Sequence, residues 1–278
     1  MLEQNNHNIP YYMEEFLDHL RLKGVSHITL RMHTRYLETF IKFINQEYKI
    51  DVQLKDLKRT DLMKFKDFLL NKNLKVNYVQ NHLSTIKSFY RFLMNEGYAS
   101  VNITENIATN REIARMPKVL TEEEVKRLIQ SAKAAGFYTY VLISFLVYTG
   151  ARIGSVQGIR KEDVDLEKGL LRLSRNKVGD YYQIPIEPSL KIALKELLQN
   201  HPKPSSPYVF LSSRNPNTPI SGNTVMYRLA RLSKDASIEK RVTTIVLRNT
   251  LAVHLLSKGV SHYDVMRILG YSNINSIN

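Results

Sequence analysis

The stretch FYTYVLISFLVYTG, residues 137–150, is apolar around nearly its whole helical circumference and ends in a glycine. A helix that is apolar on all faces is buried inside a core, whereas a surface helix keeps one polar face. Just before it, TEEE (121–124) has the spacing of a capping box, in which a Thr and a Glu three residues later cap a helix. These features predict a helix near 122–135 followed by the central helix of a large domain.

On the carboxyl side of this central helix, the apolar period changes from helical to alternating. The segment KGLLRLSRNKVGDYYQIPI (168–186) alternates on both sides of residues 178–180 and predicts a β-hairpin. YVFLSS (208–213) predicts one more short strand. Helical patterns return near 188–199, 221–234, 245–258 and 261–269. The predicted fold is therefore mainly α with a small β-hairpin or sheet, an α+β class.

On the amino side, residues 10–97 contain four helical patterns with apolar inner stripes and basic outer faces. The stretch VNITENIATNREIARMPKVL (101–120) loses the helical period and gains Asn and Thr, which is typical of a linker. These changes predict three parts: a helical domain over 1–103, a linker over 104–120 and the α+β domain over 121–278.

Positive charge is the strongest overall property of the chain. It has 40 Lys and Arg against 26 Asp and Glu, which gives a net charge of +14 and a pI near 9.7. Such a surplus favours a polyanionic partner, most often nucleic acid, over the alternative of a merely solvated basic surface.

Composition also excludes several classes of protein. The chain contains no cysteine, so disulfides, a thiol nucleophile and cysteine-bound zinc are excluded. The eight histidines are scattered, and we expect no bound metal and no other cofactor. No apolar run reaches the roughly 18 residues of a membrane span, and the first residues lack a signal-peptide pattern. We therefore expect a cytoplasmic protein with no membrane partner and no small-molecule substrate.

Three basic residues lie where a solvated helix face does not explain them. Arg152 follows YTGA, Lys177 lies in the predicted hairpin turn, and Arg248 interrupts the apolar run TIVLRNT (244–250). Taken singly, each is explained by capping of helix carbonyls or by pairing with a carboxylate. Taken together, two guanidinium groups and one ammonium group suit a bound phosphate.

The order of these motifs resembles that of the tyrosine recombinases, also called phage integrases. LSTIKSFYRFLMNEGY (83–98), TGARIGSV (149–156), the hairpin lysine and LRNTLAVHLLSKGVSHYDVMRILGYS (247–272) follow one another as in that family. The resemblance implies a two-domain protein that binds double-stranded DNA: a helical, SAM-like core-binding domain precedes a catalytic-type domain.

The resemblance also implies roles for individual residues. Arg152, Lys177 and Arg248 would bind the scissile phosphate, and Tyr271 replaces a His or Trp that donates a hydrogen bond to the same group. On the helical domain, the candidate contacts with the DNA backbone are Arg31, Arg35, Lys87 and Arg91. Self-association on DNA and a nucleoid-associated location, in a bacterium or encoded by a phage, follow from the same resemblance.

Several positions depart from the family pattern. Ile245 and Asn249 replace the two histidines of the family's H-x-L-R-H motif, and Ser155 replaces an acidic residue. The family's nucleophilic tyrosine comes a short interval after the position of Tyr271, and no tyrosine follows Tyr271 as far as Asn278. Losing one acid–base group costs about 10²–10⁴ in rate, whereas losing the nucleophile removes covalent chemistry altogether.

These departures predict a DNA-binding protein that is not an enzyme, a transcriptional repressor of a phage or mobile element. In broad pattern the chain is similar to the integrase-like repressors of SPβ-type prophages. The alternative is an active site-specific recombinase whose nucleophile lies beyond residue 278.

Overall fold

The computed structural model describes residues 8–48, 53–72, 74–107, 117–174 and 180–271. The chain divides into two compact units, residues 1–115 and residues 116–278. Lys177 and the predicted turn at 178–179 lie outside the described residues.

Unit 1 is a bundle of four helices around an aromatic core. The helices are α1 (Ile9–Leu22), α2 (His27–Tyr48), α3 (Arg59–Asn71) and α4 (Val76–Asn95), with a 3-10 turn at Leu54–Asp56. The α1 helix begins at Asn8, whose side chain accepts a hydrogen bond from the backbone of Tyr11. In the core, the rings of Phe40 and Phe65 are 5.0 Å apart and those of Phe16 and Phe89 are 5.5 Å apart. Aromatic rings at such distances bury large apolar areas and favour edge-on packing.

Unit 2 combines seven helices of the described residues with one small antiparallel sheet. The helices are α5 (Glu122–Ala134), α6 (Phe137–Thr149), α7 (Ile153–Gly158), α8 (Pro188–Gln199), α9 (Gly222–Asp235), α10 (Thr244–Ser257) and α11 (His262–Leu269). The strands are β1 (Val164–Asp165), β2 (Leu170–Ser174) and β3 (Tyr181–Pro185), paired in that order. As the sequence predicts, α6 lies at the centre of this unit, where it packs against α5, α8 and α10.

The predicted fold class is confirmed, but one predicted strand does not form and two short elements were not predicted. Residues 208–213 form no strand: they make only isolated bridges, Arg160 with Tyr208 and Leu211 with Pro219. Their apolar side chains are buried, which explains the strand-like pattern, but no neighbouring strand continues the ladder. The short elements α7 and β1 were not predicted, because six and two residues do not complete a recognisable period. Among the described residues, no helix combines the length and the apolar character needed to cross a bilayer.

Candidate phosphate-binding site

The two arginines singled out from the sequence meet at the ends of two helices in unit 2. Arg248 lies in the second turn of α10 and is only 5% exposed. Its Nη1 donates to the carbonyl of Gly150 at 2.8 Å, and its Nη2 donates to the carbonyl of Leu269. Arg152 directly precedes α7 and is half-buried, and its Nη1 donates to the carbonyl of Gly270 at 3.2 Å.

Local sequence explains why these carbonyls point at the arginines. Gly150 and Gly270 end α6 and α11 in the left-handed conformation, with φ of 56° and 60°. Helices commonly end this way, because glycine has no Cβ to clash. The hydroxyl of Thr149 accepts a hydrogen bond from the backbone of Ala151 at 3.1 Å, which fixes the turn that leads to Arg152.

The carbonyl groups at a helix carboxyl end carry a partial negative charge, so they stabilise a nearby cation. Arg248 receives this stabilisation from two helices at once, and among the described residues no carboxylate pairs with it. Its Nε is buried and has no acceptor among the same residues. The guanidinium is therefore oriented by neutral acceptors and keeps its full positive charge.

The ring of Tyr271 lies beside both guanidinium groups. Its centroid is 4.3 Å from Cζ of Arg248 and 5.6 Å from Cζ of Arg152, which are cation–π distances. The structure therefore brings together three of the four residues predicted to bind phosphate. The fourth, Lys177, lies outside the described residues.

The positions that depart from the family pattern surround this group. Ser155 is buried, and its hydroxyl donates to the carbonyl of Ser174 at 2.8 Å, which ties α7 to the end of β2. Ile245 is 68% exposed, one turn before Arg248 on α10. Asn249 is half-buried next to Arg248. Neither Ile245 nor Asn249 can exchange a proton, whereas Tyr271 carries an ionisable hydroxyl.

The four candidate DNA contacts of unit 1 differ in their surroundings. Arg31 and Arg35 are exposed one turn apart on α2, and Arg91 is exposed on α4. Lys87 is half-buried, and its Nζ donates to the carbonyl of Ile107 at 2.9 Å. Its ammonium group therefore binds the chain itself.

Sequence reasoning identified the arginines but missed the groups that orient them. Gly150 was noted only as the glycine that ends the apolar stretch, and neither Leu269 nor Gly270 was singled out as an acceptor. Tyr182, which packs against Gly270, was also missed. Its place in the alternating pattern of β3 was the only sign of an inward-facing ring. Among the described residues, no three His, Asp or Glu side chains lie close enough together to bind a metal ion.

Comparison with known proteins gives the family. Residues 118–278 match the phage integrase family, and residues 13–97 match the phage integrase N-terminal SAM-like domain. Tyrosine recombinase XerA of Pyrococcus furiosus is 29% identical over 266 residues, covering 95% of this chain and 86% of that protein. Tyrosine recombinase XerC of Bacillus licheniformis is 27% identical over 281 residues, covering 97% of this chain and 90% of that protein.

Solved structures show the same fold. A lambda integrase dimer bound to a COC′ core site matches with a TM-score of 0.76 at 19% identity, covering 97% of each chain. The crystal structure of XerA recombinase matches with a TM-score of 0.54 at 24% identity, covering 96% of this chain and 91% of that one.

The chain belongs to the phage integrase family. The prediction that it is not an enzyme is wrong, because its relatives along nearly the whole chain are named tyrosine recombinases, which are enzymes. Nothing in the described residues or in these relatives supports the predicted repressor role. The prediction had combined the replacement of two histidines with the lack of a tyrosine after Tyr271, and the names of these relatives contradict it.

Proposed function

We propose that the protein is a site-specific tyrosine recombinase, which binds double-stranded DNA and exchanges strands through a covalent 3′-phosphotyrosine. The observation that carries the proposal is the pair of guanidinium groups of Arg152 and Arg248, oriented by helix carbonyls and converging on Tyr271. The names of the relatives support the same reaction.

The arginine pair acts on the scissile phosphate through its charge. In phosphoryl transfer the negative charge spreads over the equatorial oxygens of the transition state, so catalysis depends mainly on positioned positive charge. Because carbonyls orient Arg152 and Arg248 beforehand, the site needs little rearrangement when the phosphate binds. Tyr271 adds a hydroxyl that can donate to a phosphate oxygen.

In the first step of the proposed reaction, the oxygen of the nucleophilic tyrosine attacks phosphorus, the bond from phosphorus to the 5′-oxygen breaks, and Lys177 gives a proton to that oxygen. In the second step the 5′-hydroxyl of another strand attacks the phosphotyrosine and releases the tyrosine. Ile245 cannot accept the proton of the attacking phenol, so solvent takes it, and we expect cleavage to be about 10²–10⁴ slower than with a histidine there.

A nicked suicide substrate tests the reaction. With the complete gene product, we expect a protein–DNA adduct that survives denaturation and disappears on protease treatment. Arg152→Ala is expected to bind this DNA more weakly and to form the adduct far more slowly, since it removes one of the two arginines that contact the phosphate. Retarded DNA without any adduct after long incubation would overturn the proposal.

Ile245→His tests the part of the proposal that concerns proton transfer. Ile245 is exposed, so an imidazole fits there without disturbing the core. We expect adduct formation to rise by about 10²-fold, the lower end of the usual acid–base contribution. Ile245→Gln is the matched control, because it is polar but does not titrate, and its rate should stay near that of the parent protein.

The same proposal extends to the DNA duplex and to self-association. Arg31, Arg35 and Arg91 are exposed, and together with the net charge of +14 they support contacts with the DNA backbone. Solved structures of lambda integrase, as a dimer bound to a core site and as a tetramer bound to a Holliday junction, support assembly on DNA. A recombinase of this kind acts on the chromosome, in the cytoplasm of a bacterial or archaeal cell.

A further inference from the structure

The ring of Tyr182 supports the backbone that orients both arginines. Tyr182 lies on β3, opposite Leu173 of β2, and is only 6% exposed. A Cβ built on Gly270 would lie 2.5 to 2.8 Å from Cε1, Cζ and Cδ1 of the Tyr182 ring. The ring therefore lies directly against Gly270, at a distance that only glycine allows.

The opposite side of the same turn rests on the end of α6. A Cβ built on Gly150 would lie 2.8 Å from Cδ2 of Leu269. The side chain of Leu269 is fully buried there. The Leu269–Gly270 turn is thus held between two fixed surfaces, the Tyr182 ring and the backbone of Gly150.

This turn supplies the acceptors of the phosphate-binding site. The carbonyl of Leu269 accepts from Arg248, and the carbonyl of Gly270 accepts from Arg152. Hydrogen bonds weaken steeply with distance and angle, so a small shift of the turn changes the orientation of both guanidinium groups.

We propose that Tyr182 is a positioning residue for phosphate binding, which acts through Gly270 and Leu269 on Arg152 and Arg248. The ring is the functional part of the side chain, since the glycine rests on ring atoms. This inference depends on the proposed function, because it assumes that the two arginines bind a DNA phosphate.

The test compares Tyr182 with its neighbour on the same strand. Tyr181 is 49% exposed, on the other face of β3, and its ring lies 5.0 Å from Cζ of Arg172. We therefore use Tyr182→Leu and Tyr182→Phe, with Tyr181→Leu and Tyr181→Phe as matched controls. Binding of a fluorescent DNA duplex by the full chain is measured over a series of salt concentrations, at a temperature where circular dichroism shows every variant folded.

We expect Tyr182→Leu to weaken DNA binding about tenfold. The salt slope, which is the slope of log affinity against log salt concentration, should fall in magnitude by about 1, the value for one phosphate contact. Tyr182→Phe keeps the ring and should bind like the parent chain, as should Tyr181→Phe. Tyr181→Leu should leave the salt slope unchanged. If Tyr182→Leu does not fold, Tyr182→Met takes its place, because its flexible side chain fills the same space without a flat surface.

A double-mutant cycle separates positioning from general support of the fold. In an Arg152→Ala background, Tyr182→Leu should weaken binding much less than in the parent chain, since one of its targets is gone. Fully additive effects would overturn the inference and leave Tyr182 as a core residue only. If Arg152→Ala alone leaves DNA binding unchanged, the proposed function itself fails, whatever Tyr182 does.

Discussion

Among the described residues, His82 of unit 1 and Arg248 of unit 2 are both buried basic side chains, and their surroundings are opposite in kind. In unit 1, His82 is fully buried among the rings of Tyr36, Tyr78 and Phe65, and neither ring nitrogen has a hydrogen-bond partner among the described residues. Burial is the main cause that lowers the pKa of His82 to about 4; the nearby backbone of Tyr36 partly offsets it, and the charge of Arg35 adds a smaller lowering. In unit 2, Arg248 is almost as deeply buried but is bound by two carbonyls.

The difference shows what a buried base requires in order to stay charged. His82 is surrounded by aromatic rings, so its neutral form has a lower free energy there than its protonated form. Arginine cannot lose its proton in a protein, so Arg248 needs acceptors, and two helix ends provide them. A buried arginine therefore needs acceptors around it, whereas a buried histidine can pack among apolar rings as a neutral group.

The largest effect should come from removing the buried cation of unit 2. Arg248→Ala leaves the carbonyls of Gly150 and Leu269 without their donor, and we expect unit 2 to lose about 3–6 kcal/mol of stability, since hydrogen bonds to a charged group contribute about 1.5–3 kcal/mol each. Hydrogen–deuterium exchange, read peptide by peptide, assigns the loss to unit 2 rather than unit 1.

Arg248→Met is the control for this variant, because it restores apolar volume but no donor. If Met recovers most of the lost stability, then Arg248 stabilises unit 2 by packing, and the contrast with His82 disappears.

The second effect is a pH dependence confined to unit 1. The pKa of His82 is about 4 in the folded chain and near its ordinary value of 6.5 in the unfolded chain. The unfolded chain therefore binds the proton more readily, so stability is complete above pH 6.5 and falls as the pH drops towards 4. The expected loss is about 3 kcal/mol, at 1.36 kcal/mol for each pH unit of difference.

Urea unfolding at pH 7 and at pH 4.5 measures this loss, and His82→Leu isolates it. The leucine has nearly the same volume and no proton to bind, so its stability should change less with pH than that of the parent chain. An equal pH dependence in both proteins would show that other groups cause it.

The third effect compares two glycines at helix ends. Gly150 and Gly97 both have a positive φ, 56° and 73°, but only Gly150 has atoms within 4 Å of a built Cβ. Gly97→Ala should cost about 1 kcal/mol, from the left-handed backbone alone. Gly150→Ala should cost about 2–3 kcal/mol, because the Cβ also clashes with Leu269. Thermal unfolding of both variants measures the two losses of stability. Equal losses would show that the side chain of Leu269 moves away from the new Cβ without cost.

The smallest effect concerns Arg35. Its charge helps to lower the pKa of His82, so Arg35→Gln should raise that pKa slightly. The stability that the protein loses as the pH falls should then be slightly smaller. Histidine NMR titration follows the change directly. A pKa that does not move, or that falls, would mean that burial alone keeps His82 neutral.

Much of the fold was predictable from the sequence because it depends on local periodicity. Residues 137–150 are apolar on all sides, which predicts the central helix α6, and the alternating pattern predicts β2 and β3. The acceptors of the arginines were not predictable, because they are backbone atoms far away in the chain. Arg248 and Gly150 are 98 residues apart, and Arg152 and Gly270 are 118 apart.

The inference from missing residues was the least reliable part of the sequence reasoning. Ile245 and Asn249 do lack the protons of the histidines that they replace, and that reading of the residues is sound. The predicted loss of the reaction also rested on the lack of a tyrosine between Tyr271 and Asn278, and it is contradicted by relatives that are named tyrosine recombinases.

The long separation between donors and acceptors has a consequence for protein synthesis. Unit 1 contains its own core within residues 1–115, so it can fold while the ribosome is still translating the rest. Arg152 emerges early in unit 2 but obtains its acceptor only when Gly270 has been made. An unfinished chain would therefore contain a folded unit 1 before Arg152 and Arg248 gain the late acceptors at Leu269 and Gly270 that orient them.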